Sequence, residues 1–249
     1  MTLYSTYSDA AGKPSDGLDQ YCVVAGFSST VAKWENFASL WNDFLEIYEI
    51  PFLQMSSLNA RKGVFSDERW NDPAYMDLFL DTAASLIRKN VLHWAAAAVK
   101  YSDFEKISKV FAIQRRFNPY AMCGATVALN LQGRVNALDP PRANVQHFFE
   151  EGDHGFGMIQ KAVCAYGLNE PIRRPGKPKA DCPDVLYYVQ FQASDWLAFE
   201  TRKFAGMSQR RFRASLVSLL RGLPGNAAKW DVNDLGRFCQ KQNIPRYER

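Results

Sequence analysis

The sequence predicts an α/β fold, and two observations carry that expectation. Short apolar runs bounded by turn residues alternate with longer stretches whose apolar side chains recur every three to four positions. The composition, 47% hydrophobic and 14% aromatic over 249 residues, supplies enough apolar surface for one large core and excludes a disordered chain. No Pro-, Gly- or Ser-rich stretch divides the sequence cleanly. The expected organisation is therefore one elaborated domain over residues 1–205, followed by a basic helical extension over residues 206–249 packed on it.

Taken in order, Leu3 to Asp9 and Tyr21 to Phe27 read as two strands joined by a polar loop containing Gly12-Lys13-Pro14, so a hairpin opens the chain. Val31, Trp34, Phe37, Ala38, Trp41, Phe44, Leu45 and Tyr48 then follow the helical period, and their large rings should face a core. Pro51 to Ser57 is read as a third strand. Asp72-Pro73 supplies a cap and a first-turn proline for a helix carrying Tyr75, Phe79, Leu80, Ala83 and Ile87. Val91 to Val99 is almost continuously apolar, which fits a strand covered on both faces, with a continuing helix as the alternative. Ser102 with Glu105 makes a capping box, and Asn118-Pro119 starts another helix. Asn144 to Glu150 reads as a strand, Asp153 as the cap of a helix that Gly167 ends, and Val185 to Phe204 as a further helix. Two more helices are expected near Ser208 to Arg221 and Asp231 to Gln242.

No segment approaches the ~18 apolar residues of a membrane span, and the first residues lack the layout of a signal peptide. A soluble, cytoplasmic protein is expected. Cys22, Cys123, Cys164, Cys182 and Cys239 are scattered without C-x-x-C spacing, so they read as reduced, mostly buried thiols. The net charge of +4 is unevenly spread: residues 1–160 hold 14 Lys and Arg against 18 Asp and Glu, and residues 161–249 hold 16 against 8. A basic last third, with Arg173, Arg174, Lys177, Arg202, Lys203, Arg210, Arg211 and Arg213, suits a phosphate backbone; solvated helix faces are the bland alternative.

Several kinds of site are excluded, because the chain has no G-x-x-x-x-G-K-[ST] loop, no G-x-S-x-G elbow and no H-E-x-x-H helix. His93, in an apolar run, is expected to be a hydrogen-bonded core residue. Gly155-Phe156-Gly157 stands where a dinucleotide fingerprint would begin, but Gln160 takes the place of its third glycine and Glu150, Glu151 and Asp153 would repel a pyrophosphate. The same carboxylates attract a cation. Asp9 and Glu150 end apparent strands, and Asp195 lies on a helical stripe with Phe191, Ala198 and Phe199, where an unpaired carboxylate is costly. Acids converging on Mg²⁺ or Mn²⁺ would remove that cost, since hard divalent ions take oxygen ligands. Each acid also has an ordinary reading: Asp9 in a turn, Glu151 exposed, Asp153 as a cap, Asp103 in a first helical turn, Asp195 paired with Arg202.

Tyr7-Ser8-Asp9-Ala10-Ala11-Gly12 resembles the F-x-D-E-S-G start of the prokaryotic domain-of-unknown-function family numbered thirty-eight hundred, whose fold is ribonuclease-H-like. Val23-Val24-Ala25-Gly26-Phe27 with Trp34 is similar to that family's second strand and helix, and Phe149-Glu150-Glu151-Gly152-Asp153 to its F-E-x-G-D segment. Val189 to Ala198 is similar to its L-Q-x-A-D-x-x-A helix, so the resemblance runs from Leu3 to Phe204. It implies a ribonuclease-H-like mixed sheet flanked by helices, with helical insertions. It also implies a metal site at Asp9, Glu150 or Asp153, and Asp195. Three departures stand out: Ala10 replaces an acid, Ala11 a serine, and Ser194 is inserted in the helix motif.

The function these readings predict is a metal-dependent phosphodiesterase acting on RNA or DNA. Asp9, Glu150 and Asp195 would hold one or two Mg²⁺ or Mn²⁺ ions, Asp153 would support them, and Arg173, Arg174, Arg202, Lys203, Arg210, Arg211 and Arg213 would hold the backbone. The alternative, motivated by Ala10, is a module without turnover that binds nucleic acid or a protein partner, another copy of the chain included, in a defence or mobile-element system. A nucleotide-processing enzyme using the Gly152 to Gly157 turn is a third reading.

Overall fold

Backbone pairing at the start of the chain sets the whole architecture. The computed structural model describes residues 2–17, 20–139, 143–152, 155–177, 188–206 and 213–247. Strands β1 (Leu3–Ala11) and β2 (Tyr21–Thr30) form the expected hairpin, in a register that places Tyr7 opposite Phe27 and Asp9 opposite Ala25. Gly26 makes that pairing possible, because a Cβ there would run into the Tyr7 carbonyl and the Ser8 side chain. Strand β3 (His93–Lys100) lies antiparallel to β2, whereas β4 (Asn144–Glu150) lies parallel to β1 and β5 (Ile172–Arg174) parallel to β4. With β6 (Gly225–Trp230) parallel to β3, the six-stranded mixed sheet has the order β5-β4-β1-β2-β3-β6.

Helices cover both faces. On one lie α1 (Val31–Ile47), α3 (Pro73–Asn90), α7 (Gln190–Gly206) and α8 (Ala214–Leu220), whose core includes Trp34, Phe37, Trp41, Phe44, Phe79 and Trp196. The short α2 (Met55–Ala60) packs against α7 on this side. The other face carries α4 (Tyr101–Ser108), α5 (Pro119–Leu138), α6 (Phe156–Ala165) and α9 (Val232–Lys241), packed around Val24, Ala97, Met122, Phe149 and Leu235. Strand alternation sorts the side chains: Tyr7 and Phe148 face α7, and their neighbour Phe149 faces α5.

The capping residues Asp72 and Asn118 act as the sequence predicts, and Asp231 adds a box that it did not single out. Asp72 accepts from the Ala74 amide at 2.9 Å with Pro73 at the first helical position, Asn118 accepts from the Ala121 amide at 2.7 Å, and Asp231 forms a reciprocal box with Asp234. Gly167, at φ +74°, follows α6 as expected.

Five expectations need correction. Pro51 to Ser57 is not a strand; side chains of α7 take its amides, and α2 begins at Met55. The Ser102 and Glu105 box does not start α4, which begins at Tyr101 directly after β3, with its amide bonded to the Gln20 carbonyl. Helix α7 begins at Gln190, since the Tyr188 amide bonds the Pro175 carbonyl, and residues 185–187 lie outside the described part. The last segment is not purely helical: β6 joins the sheet between α8 and α9. Helix α6 is capped by Gly155, at φ +101°; Asp153 is outside the described residues.

No helix among the described residues is long and apolar enough to cross a membrane. Cys22, Cys123 and Cys239 are buried free thiols and Cys164 is an exposed one; Cys182 lies outside the described residues.

Candidate active site

Three carboxylates from distant parts of the chain meet at one cavity. Asp9 comes from β1, Glu150 from the end of the adjacent strand β4, and Asp195 from α7, which packs across β1 and β2. The cavity measures about 440 Å³, and Lys13, Asp16, Glu151, Lys177, Phe199 and Arg202 also line it. Strand alternation accounts for the placement of the first two acids: Asp9 lies two residues beyond Tyr7 and Glu150 two beyond Phe148, so all four share the face covered by α7. Ser194 fixes the helix over this face by donating to the Tyr7 carbonyl at 2.7 Å.

Asp9 is 6% exposed and accepts from the neighbouring Ala10 amide at 2.7 Å. Asp195 accepts the Met55 amide on Oδ2 at 2.7 Å. Burial pushes its carboxyl up to about 7, the negative charge of Glu150 adds to that rise, and the Met55 amide and Lys177 oppose it. Next to Asp195 on the helix, Gln192 accepts from the Trp41 indole at 3.0 Å and the Leu53 amide at 2.7 Å. Its Nε2 has no partner among the described residues, and it lines a recess of about 30 Å³ together with Glu150, Lys177 and Asp195. That volume admits about one water molecule.

By donor type the three acids suit Mg²⁺ or Mn²⁺, and the mutual repulsion of Glu150 and Asp195 is what a divalent cation relieves. Among the described residues no group of three or more His, Cys, Asp or Glu side chains is closed around a metal-sized space. Asp153, the expected supporting ligand, is not among them.

The basic candidates separate into distinct environments. Arg202 reaches the acid cavity, but it pairs with Asp16 at 2.7 Å and not with Asp195. It lies across Gly12, at φ +93°, where any Cβ would collide with the Tyr21 carbonyl. Arg174 stands opposite Glu150 on β5, on the same face as the acids, and donates to the Arg173 carbonyl at 3.1 Å. Arg173 points to the other face, its guanidinium 5.7 Å from the centre of the Phe156 ring. Arg213 pairs at 3.0 Å with Glu200, which is 4% exposed, and Lys203 covers the Phe199 ring at 4.2 Å and contacts Asn59. These last two serve the packing around α2 and α7. Arg210 and Arg211 lie outside the described residues.

Gln54, Lys177 and Gln192, which share this space, did not stand out in the sequence as parts of the site. The usable signal was the helical spacing of Gln192 and Asp195, one turn apart on α7. Outside the site, His93 is the expected core residue, 3.0 Å from the Ser28 hydroxyl, with burial pulling it down. His147 is fully buried between Thr6 Oγ1 at 2.9 Å and Gln132 Oε1 at 3.3 Å, and burial pulls it down to about 4. Its folded value lies below the ordinary 6.5, so its contribution to stability is complete above pH 6.5 and is lost as pH falls through 4. Between pH 7 and pH 4.5 urea denaturation should show the wild type losing about 2 kcal/mol relative to His147→Gln; the same pH dependence in both proteins would refute this role.

Comparison of the chain with protein-family models and with curated proteins gives no match.

Proposed function

We propose that this chain is a metal-dependent phosphodiesterase acting on nucleic acid, built on a ribonuclease-H-like fold. The observation that carries the reading is the meeting of Asp9, Glu150 and Asp195 at one cavity from three separate elements. The sheet supports it: β1 to β3 are antiparallel, β4 and β5 run parallel to β1, and the acids sit at the ends of β1 and β4 under α7.

Asp9, Glu150 and Asp195 would hold the Mg²⁺ or Mn²⁺. When bound, the ion supplies Lewis acidity toward a phosphoryl oxygen and a more acidic water. The chain's own groups set the rest. The Met55 amide occupies Asp195 Oδ2, which leaves Oδ1 as the oxygen that would take the ion. Lys177 and Arg202 are cations in the cavity lining that a phosphodiester could meet, and the Asp16 carboxylate holds the Arg202 guanidinium there.

A labelled oligonucleotide incubated with the purified chain and Mg²⁺ or Mn²⁺ tests the reading. Cleavage should stop in EDTA and fall about 100-fold in Asp9→Asn. Cleavage that survives chelation, or equal turnover by the variant, overturns it. The second reading, a module that binds without turnover, is favoured by Ala10 and by the lack of a closed metal-holding group among the described residues. It predicts binding without cleavage in the same assay.

A further inference from the structure

A cluster of aromatic rings sits on the α7-facing side of β1 and β4, one strand step before the acids. Tyr7 and Phe148 are paired across the two strands, with ring centres 5.0 Å apart and planes 12° apart. Tyr188, two residues before α7, lies 6.2 Å from both Phe148 and Tyr7, at 21° and 32° to them, and Trp34 meets Tyr7 edge-on at 5.1 Å. These rings line a groove of about 390 Å³, in which Phe148 and Tyr188 are only half-buried and Glu35 is the one carboxylate among the lining residues.

Position in the strands ties this groove to the acids. Tyr7 precedes Asp9 by two residues and Phe148 precedes Glu150 by two, so each aromatic–acid pair shares a face and is separated by about 7 Å. That step matches one extended nucleotide. Arg174 flanks both features: it is paired with Glu150 across β4 and β5 and stands within electrostatic reach of the Tyr7 hydroxyl. Near-parallel rings, a guanidinium and then a cluster of acids form the series of contacts that an unpaired nucleotide chain uses, with bases on rings, a phosphate on arginine and the next phosphate at the acids. Bases inside a duplex keep both faces covered by their neighbours and have none to offer such rings.

We infer that the substrate is a single-stranded nucleic acid, whose base next to the reacting phosphate stacks in the groove on Phe148 and Tyr188 while Arg174 holds the intervening backbone. This inference rests on the phosphodiesterase reading for the reaction and on the aromatic groove for the strand preference, and the two fail separately.

The test is fluorescence anisotropy in EDTA with a fluorescein-labelled oligonucleotide, as DNA and as RNA, alone and annealed to its complement, using the full chain. The single strand should bind at least about 10-fold tighter than the duplex. Tyr188→Leu and Phe148→Leu should each lose about 10-fold of single-strand affinity without changing duplex affinity. Thermal melts check that both variants fold; if Phe148→Leu does not, the more peripheral Tyr188→Leu decides the matter. Equal affinity for single strand and duplex, or a folded Tyr188→Leu that keeps full single-strand affinity, overturns the inference even if metal-dependent cleavage is observed. Selective single-strand binding by a chain that never cleaves upholds the groove and overturns the phosphodiesterase reading alone.

Discussion

Asp195→Asn should abolish metal-dependent cleavage, by on the order of 10³-fold, and at the same time make the protein more stable at alkaline pH. The two effects have one origin. In the folded chain burial and Glu150 raise the Asp195 carboxyl from 3.8 to about 7. An acid whose folded value is raised contributes fully below its unfolded value, and the contribution is lost as pH rises through the folded value. The wild type therefore carries a buried charge above pH 7 that the variant lacks, while the carbonyl oxygen of the introduced carboxamide still accepts the Met55 amide. With partial solvent access at the cavity mouth, the difference should be about 2 kcal/mol at pH 8 and near zero at pH 4. Urea titrations of both proteins measure it. Mg²⁺ should raise the melting temperature of the wild type and leave that of the variant unchanged. Equal stability at the two pH values would show that Asp195 is not held in the environment described.

Trp41→Ala should cost about 4 kcal/mol, the largest effect expected of a single substitution away from the acids. The indole is fully buried, packs at a tilt between Phe37 and Phe44, and donates to Gln192 Oε1. Gln192 in turn holds the Leu53 amide, two residues before the Met55 amide that engages Asp195. Truncation thus opens a cavity and loosens the segment that orients a site carboxylate. Trp41→Phe keeps most of the volume and leaves the Leu53 bond in place, so it should cost under about 2 kcal/mol. Chemical denaturation of the pair separates packing from hydrogen bonding; a cost below about 1 kcal/mol for Trp41→Ala would contradict this account.

Elements whose signals are local were legible in the sequence. The opening hairpin, the periodic α1, and the capped starts at Asp72 and Asn118 all depend on residues within a few positions of one another. What could not be read depends on partners far away. Residues 51–57 have the apolar content of a strand, yet Gln192 and Asp195 take their amides. Strand β6, Gly-Asn-Ala-Ala-Lys-Trp, has weak intrinsic strand preference and is extended because β3 offers it a free edge. The acids at the strand ends were visible, and period-two alternation brings Asp9 and Glu150 to one face. Charge counting could not show which arginines are already used, and Arg213 is bound to a buried glutamate. The aromatic groove had a signal too, a ring two places before each strand acid, which shows up only when the two strands are laid side by side.

The late arrival of β6 has a consequence for how the protein is made. Its neighbour β3 is an alanine-rich strand, already hydrogen-bonded to β2 on one side, that emerges from the ribosome long before residues 225–230. Until those residues are synthesised, the nascent chain carries an uncharged backbone edge ready to pair with another copy of itself. Pairing with β6 replaces that edge with one bearing the exposed Lys229, so on this side the sheet ends on a charged strand.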